Sequence, residues 1–169
     1  MDEWRLASGE LVKDRPNSHL QPEVVSVLPK ALGRINSQGR QFFKEEVFFF
    51  EEVGDTICVV TDERDEIVFA VRPNRGGHSR FVKNRKPQPT NWVVVVLRRS
   101  DDGTHYLIIT AFFGGNPEPE PWDEKNFASQ PNPAVARENA RRYWSTHALV
   151  WGTTPVIPGT ETTDLPSSW

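Results

Sequence analysis

Cysteine is nearly missing from this chain: 169 residues contain one, Cys58. No internal disulfide can form, which excludes a disulfide-stapled scaffold and suits a reducing compartment. Long apolar runs are missing too, since none approaches the ~18 residues that cross a bilayer. The first thirty positions carry Asp2, Glu3, Glu10 and Asp14 where a secretory leader has a positive start and an apolar stretch. These absences predict a cytoplasmic protein with no membrane partner. His19, His78, His105 and His147 form no metal-ligand spacing, and no second cysteine accompanies Cys58, so no metal is expected. There is no P-loop, dinucleotide fingerprint or nucleophile elbow, and no cofactor is expected.

A further absence is local. Between Ile67 and Ser100 there is no acidic residue, while Arg72, Arg75, Arg80, Lys83, Arg85, Lys86, Arg98 and Arg99 all fall there. The formal net charge of the whole chain is −3, which argues against coating nucleic acid non-specifically. A basic patch on such a background still concentrates a polyanion at one place. With 37% hydrophobic and 25% charged residues the composition is that of an ordinary globular protein, and the length is ample for a core. One domain over 1–169 is expected: an arm over 1–22, a helix-plus-sheet core over 23–115, then a proline-rich excursion, a helix and a tail over 116–169.

Trp4 and Leu6 are candidate anchors of the arm. In PEVVSVLPKALGRIN, Val24, Val27, Leu28, Ala31, Leu32 and Ile35 recur at helical spacing, with Pro29 expected to kink or split the helix. Val47 to Val53, with three consecutive phenylalanines, reads as a strand buried on both faces. Gly54-Asp55 reads as a turn, Thr56 to Thr61 as a second strand, Asp62 to Asp65 as a turn and Ile67 to Val71 as a third strand. Short polar turns between them predict an antiparallel meander. A basic loop of about twenty residues then contains Gly76, Gly77, Pro87 and Pro89. Trp92 to Leu97 and His105 to Phe113 form a hairpin turned at Asp101-Asp102-Gly103. The segment GGNPEPEPWDEKN reads as a rigid surface excursion. Pro133 to Val150 reads as a helix capped by Asn132, and the last residues as a tail held by tryptophans. The fold class expected is α+β: an N-terminal helical segment, a central curved antiparallel sheet of about five strands, a C-terminal helix and an irregular tail.

If the polyanion that such a basic patch holds is RNA, cleaving it without a metal needs a base for the 2′-hydroxyl, an acid for the departing 5′-oxygen and a cation for the developing charge. His78, with glycines before it and Ser79-Arg80 after it, is the imidazole best placed for proton transfer, with Arg80 beside it. Arg75, Lys83 and Arg85 are phosphate-binding candidates. Strand alternation places Tyr106, Ile108, Thr110 and Phe112 on one face of the last strand. Thr110 can orient a phosphate or a histidine, Tyr106 can stack a base, and Thr90 is a further hydroxyl of that type. Each has a plainer reading: His78 bonded to a carbonyl, a basic loop kept solvated, and hydroxyls closing ordinary strand bonds.

The loop GHSRFVKNRKPQPT and the hairpin VVVVLRRSDDGTHYLIITAFF resemble the barnase/EndoU/colicin/RelE-like ribonuclease superfamily, in particular its bacterial toxin domains. The resemblance covers roughly Val47 to Phe113. It implies metal-independent RNA cleavage, a helical part ahead of a curved antiparallel sheet, RNA as substrate and a cognate inhibitor protein as partner. The chain departs from that pattern in having no second histidine in the loop and a long C-terminal extension. Two other functions stay open beside a toxin-like endoribonuclease. One is a non-catalytic module for RNA or another polyanion; the other is an accessory or immunity-like interaction protein.

Overall fold

The computed structural model describes residues 3–15 and 20–169, so His19 lies outside the described residues. The chain divides into two compact units. Unit 1 comprises Met1–Thr56 with Pro89–Asn116, and unit 2 comprises Ile57–Gln88 with Pro117–Trp169. Each is therefore assembled from two separated stretches of a sequence whose length alone predicts one domain.

The elements in chain order are β1 (Trp4–Arg5), β2 (Leu11–Asp14), α1 (Pro22–Leu32), β3 (Phe42–Phe48), β4 (Gly54–Thr56), β5 (Cys58–Val60), β6 (Ile67–Val71), β7 (His78–Val82), β8 (Gln88–Thr90), β9 (Trp92–Arg99), β10 (Tyr106–Phe113), α2 (Glu124–Ala128), α3 (Pro133–Trp144) and β11 (His147–Val150). The class is α+β, as the sequence predicts. The sheets are mixed and not purely antiparallel, because β2 runs parallel to β10 and β7 parallel to β11.

In unit 1 the five-stranded sheet has the order β1-β2-β10-β9-β3. Helix α1 lays Val24, Leu28, Ala31 and Leu32 on Val93, Val95, Leu97, Tyr106, Ile108 and Ala111. Pro29 does not break the helix. It sits on the solvent side, so the Val25 carbonyl that loses its N–H partner is turned towards water. The β9–β10 hairpin forms where the sequence places it, with Gly103 at φ 72° in its turn. Between Ile108 and Thr110 the register slips by a bulge. One extra residue reverses the alternation, so the core face is Tyr106, Ile108, Ala111 and Phe113, not a set running unbroken from Tyr106 to Phe112.

Strand β3 also corrects the sequence reading. It begins at Phe42 and ends at Phe48, and it alternates, with Phe43 and Val47 buried and Phe42 and Phe48 exposed. Phe49 turns into the core beneath the Arg34 guanidinium, 4.4 Å from its ring centre, and Phe50 is 94% exposed. Gly54, expected in a turn, opens β4, which pairs with β8. A Cβ at Gly54 would lie 2.5 Å from the Phe113 ring, so only glycine fits there.

Unit 2 holds a four-stranded sheet of order β5-β11-β7-β6. The expected meander is absent: β3, β5 and β6 do not pair with one another. Part of the basic loop is strand β7, and the last four residues assigned to the C-terminal helix are strand β11. Asn132 does cap α3, accepting from the Val135 N–H at 3.4 Å. Trp144 of α3 packs with Val68, Ala70, Phe81 and Leu149. The proline-rich segment is not all surface, because Glu120 is 7% exposed and Pro121 is fully buried. The tail closes the outer side of β6: Ile157 N–H donates to the Val71 carbonyl, the Thr160 hydroxyl accepts from Val71 N–H, and Thr162 bridges Phe69.

Candidate functional site

Strand β7 positions the residues that the sequence singles out most strongly. Its partners Phe69 and Val71 on β6 lie opposite Arg80 and His78, which fixes both side chains on one face of the sheet. Ser79, between them, points the other way and is fully buried. The strand enters from a tight approach: a Cβ on Gly77 would lie 2.4 Å from Trp122. The indole N–H groups of Trp122 and Trp169 both donate to the His78 carbonyl, each at 2.9 Å. The backbone at His78 is thus pinned twice, while its half-buried imidazole has no hydrogen-bond partner among the described residues.

Arg80 is half-buried, and its Nη1 donates to the Thr61 hydroxyl at 2.9 Å and to the His147 carbonyl at 2.8 Å. Burial pulls its pKa down, and Asp65 acts in the opposite sense from a distance. No carboxylate of the described residues forms an ion pair with it. The guanidinium is therefore oriented by neutral acceptors on one nitrogen, an arrangement that leaves its other donors for an anion.

The remaining cations behave differently from the expectation drawn from the acid-free stretch. Arg85 is bound to Asp65 at 2.7 and 3.1 Å and reaches Asp62 at 3.5 Å. The bond from Arg85 holds the Asp65 carboxyl below the usual range and raises the guanidinium in turn. Arg72 is bound to Glu120 and, through Nε, to the Ser79 hydroxyl at 2.8 Å. Carboxylates from just before and well after the acid-free stretch thus pair with two of its arginines. Lys83 rests its ammonium 5.2 Å from the centre of the Trp151 ring. Arg75 is exposed in the turn before β7, its N–H donating to the Arg72 carbonyl at 3.2 Å.

Thr90, Tyr106 and Thr110 belong to unit 1, whereas His78, Arg80, Arg75, Lys83 and Arg85 belong to unit 2. Tyr106 is 2% exposed, and its hydroxyl donates to the Arg40 carbonyl at 2.6 Å, so its ring is core and not a stacking platform. The Thr90 hydroxyl accepts from the Trp92 N–H at 3.2 Å. Thr110 is half-buried after the bulge, opposite Val96.

Unit 1 has a polar cavity of its own that the sequence did not reveal. It measures about 80 Å³ and is lined by Glu10, Arg99, Thr104, His105 and Tyr106 with the backbone at Gly39. Among the described residues, Glu10 Oε1 is buried without a hydrogen-bond partner, while its other oxygen accepts from the Ser37 hydroxyl. Burial alone would raise this carboxyl, but the hydroxyls of Ser37 and Ser8 and the charge of Arg99 hold it below its ordinary value. His105 Nδ1 is 2.8 Å from the Thr104 hydroxyl. A space of this size admits water and is too small for a nucleotide.

No family model, curated protein or solved structure matches the chain. Among the described residues, no helix is long and apolar enough to cross a membrane, and no group of His, Cys, Asp and Glu side chains could hold a metal ion.

Proposed function

We propose that this protein cleaves RNA without a metal, with Arg80 holding the scissile phosphate and His78 moving the proton. One observation carries the reading: the imidazole and the guanidinium stand two residues apart on one face of β7, and among the described residues the first has no hydrogen-bond partner and the second no carboxylate. Successive residues on one strand face are about 6.6 Å apart along the chain, a span that a phosphodiester and its ribose can bridge. Exposed Arg75 adds a cation ahead of the strand.

The test is cleavage of a fluorophore-quencher RNA in EDTA. His78→Ala is expected to lower turnover by about 10²-fold or more, the usual worth of one proton-transfer group. Arg80→Lys keeps the charge but not the fork and is expected to weaken turnover as well. Cleavage that is absent from the wild type, or intact in folded His78→Ala, would overturn the reading.

A second reading is favoured by what β7 does not supply. Transphosphorylation uses both a base and an acid, and this face offers one imidazole; the His147 ring is stacked on Tyr143 at 3.9 Å with Nδ1 against the Tyr143 carbonyl. In that reading the same pair binds the RNA backbone without turnover. The expected result is salt-dependent binding of a 2′-O-methyl oligonucleotide, weakened in Arg80→Ala, with no cleavage of the unmodified strand.

A further inference from the structure

Strand β3 ends one side of the five-stranded sheet, and its outer side pairs with no described strand. The Gln41 carbonyl accepts from Arg99 N–H and the Phe49 N–H donates to the Asn91 carbonyl, so the odd-numbered residues here turn their backbone groups to β9. The even-numbered residues Phe42, Lys44, Glu46 and Phe48 turn theirs outwards. Consistent with this, the Phe48 carbonyl accepts from a side chain, Arg34 Nη1, at 2.7 Å. The side chains of those four residues share the sheet face away from α1, where Phe42 is 55% and Phe48 41% exposed. Large aromatics at both ends of an open edge strand are the pattern that soluble proteins avoid unless something covers it.

We propose that β3 pairs antiparallel with β3 of a second copy of this chain, about a two-fold axis through Glu45, joining two five-stranded sheets into one. The sequence FFKEEVF is self-complementary in that register. Phe42 falls opposite Phe48 of the second copy, Phe43 opposite Val47, and Lys44 opposite Glu46, and every pair occurs twice. The outward N–H and C=O groups of Lys44 then meet those of Glu46, as a hydrogen-bonded antiparallel pair requires. Glu45 meets its own counterpart at the axis, its charge already balanced by Arg40 at 2.6 Å. Registers displaced by one pair fail: centring on Lys44 sets lysine against lysine and Phe42 against Glu46, and centring on Glu46 sets glutamate against glutamate. A foreign strand without this charge order would leave Lys44 unpaired, which is how an edge lysine discourages promiscuous pairing. A strand-to-strand interface is small beside the ~1,600 Å² of a standard complex, so the dimer is reversible.

Light scattering on the eluting full-length chain tests this by charge exchange. Wild type is expected to run at twice the monomer mass and to dissociate on dilution. Lys44→Glu sets carboxylate against carboxylate on both sides of the axis, and Glu46→Lys sets ammonium against ammonium there. Each alone is expected to weaken dimerisation about tenfold or more. In the mixed pair, the Lys44→Glu chain presents two carboxylates and the Glu46→Lys chain two ammonium groups, so both cross-strand pairs are again of opposite sign. The heterodimer is therefore expected to form, and the double variant on one chain is expected to dimerise like wild type. Circular dichroism establishes that each variant is folded. A wild type that stays monomeric at every soluble concentration, or a mixture of folded variants that does not reassociate, overturns the proposal, and a monomer that captures some other strand counts on the same side.

Discussion

Arg72 and Glu120 hold each other withdrawn from solvent, with Nη2 donating to Oε1 and side chains only 18% and 8% exposed. The pair sits in a closed set of bonds: Arg72 Nε reaches the Ser79 hydroxyl at 2.8 Å, and Glu120 Oε2 accepts from Trp122 Nε1 at 3.2 Å. Removing the carboxylate leaves a largely buried guanidinium uncompensated. Glu120→Ala is therefore expected to cost about 3–5 kcal/mol, read from the urea midpoint, with Glu120→Gln milder. Glu124→Ala, exposed a short way along the chain, serves as the surface control; equal losses in the two would show that the pair is not buried in effect.

Tyr106 is expected to matter for stability and not for RNA. Its ring packs edge-on to Phe43 at 5.7 Å, and its hydroxyl satisfies the Arg40 carbonyl. Tyr106→Phe removes that bond and keeps the ring, a loss of about 1 kcal/mol. Binding of the 2′-O-methyl oligonucleotide is expected to be unchanged, and a several-fold loss would restore the tyrosine to the list of RNA contacts.

Acid is expected to weaken the fold through three carboxylates. Arg85 lowers Asp65; the hydroxyls of Ser100 and Thr104 lower Asp102; against the upward pull of burial, the hydroxyls of Ser37 and Ser8 lower Glu10. In each case the folded state binds the proton more weakly than the unfolded one, whose values are about 3.9 for Asp and 4.3 for Glu. Their stabilisation is full above those unfolded values and drains away as pH falls from them towards the folded ones. The melting temperature is expected to be level between pH 6 and 7 and to fall below about pH 4, with a smaller fall in Asp65→Asn. An equal fall in that variant would acquit Asp65.

Gly77→Ala is expected to act at a distance of one side chain. The new methyl would lie 2.4 Å from Trp122, whose indole pins the His78 carbonyl. Overpacking of this kind costs about 1–3 kcal/mol. Tryptophan fluorescence reports the displacement of Trp122, and any RNA cleavage is expected to drop with it. Gly76→Ala, where the added methyl finds ordinary contact at 3.7 Å, is the paired control.

How much of this was legible before the structure depends on how each segment is punctuated. The amphipathic spacing of Val24, Leu28, Ala31 and Leu32 marked α1, and the Asp101-Asp102-Gly103 turn marked the β9–β10 hairpin. By contrast β7 reads HSRFV, with two apolar residues among flanking glycines, lysines and prolines, so its partner strand and not its own pattern makes it a strand. β11 follows α3 without a proline or glycine between them, and helical spacing runs on into it. The bulge before Thr110 has no marker at all and reverses which side of β10 faces the core. At the candidate site, an acid-free stretch of sequence did not mean an acid-free region of space: Asp65 lies just outside the stretch and Glu120 far beyond it, yet both reach its arginines. His78 and Arg80 kept their prominence because neither drew a carboxylate.

The place of β11, between β5 and β7, bears on how the protein is made. A chain leaving the ribosome has all of unit 1 once residue 116 is out, but the middle of the second sheet is still unsynthesised. Until residue 150 emerges, β5 and β7 have no strand between them. Unit 2 is thus expected to acquire its structure late, and arrested nascent chains probed with protease would show unit 1 resistant well before it.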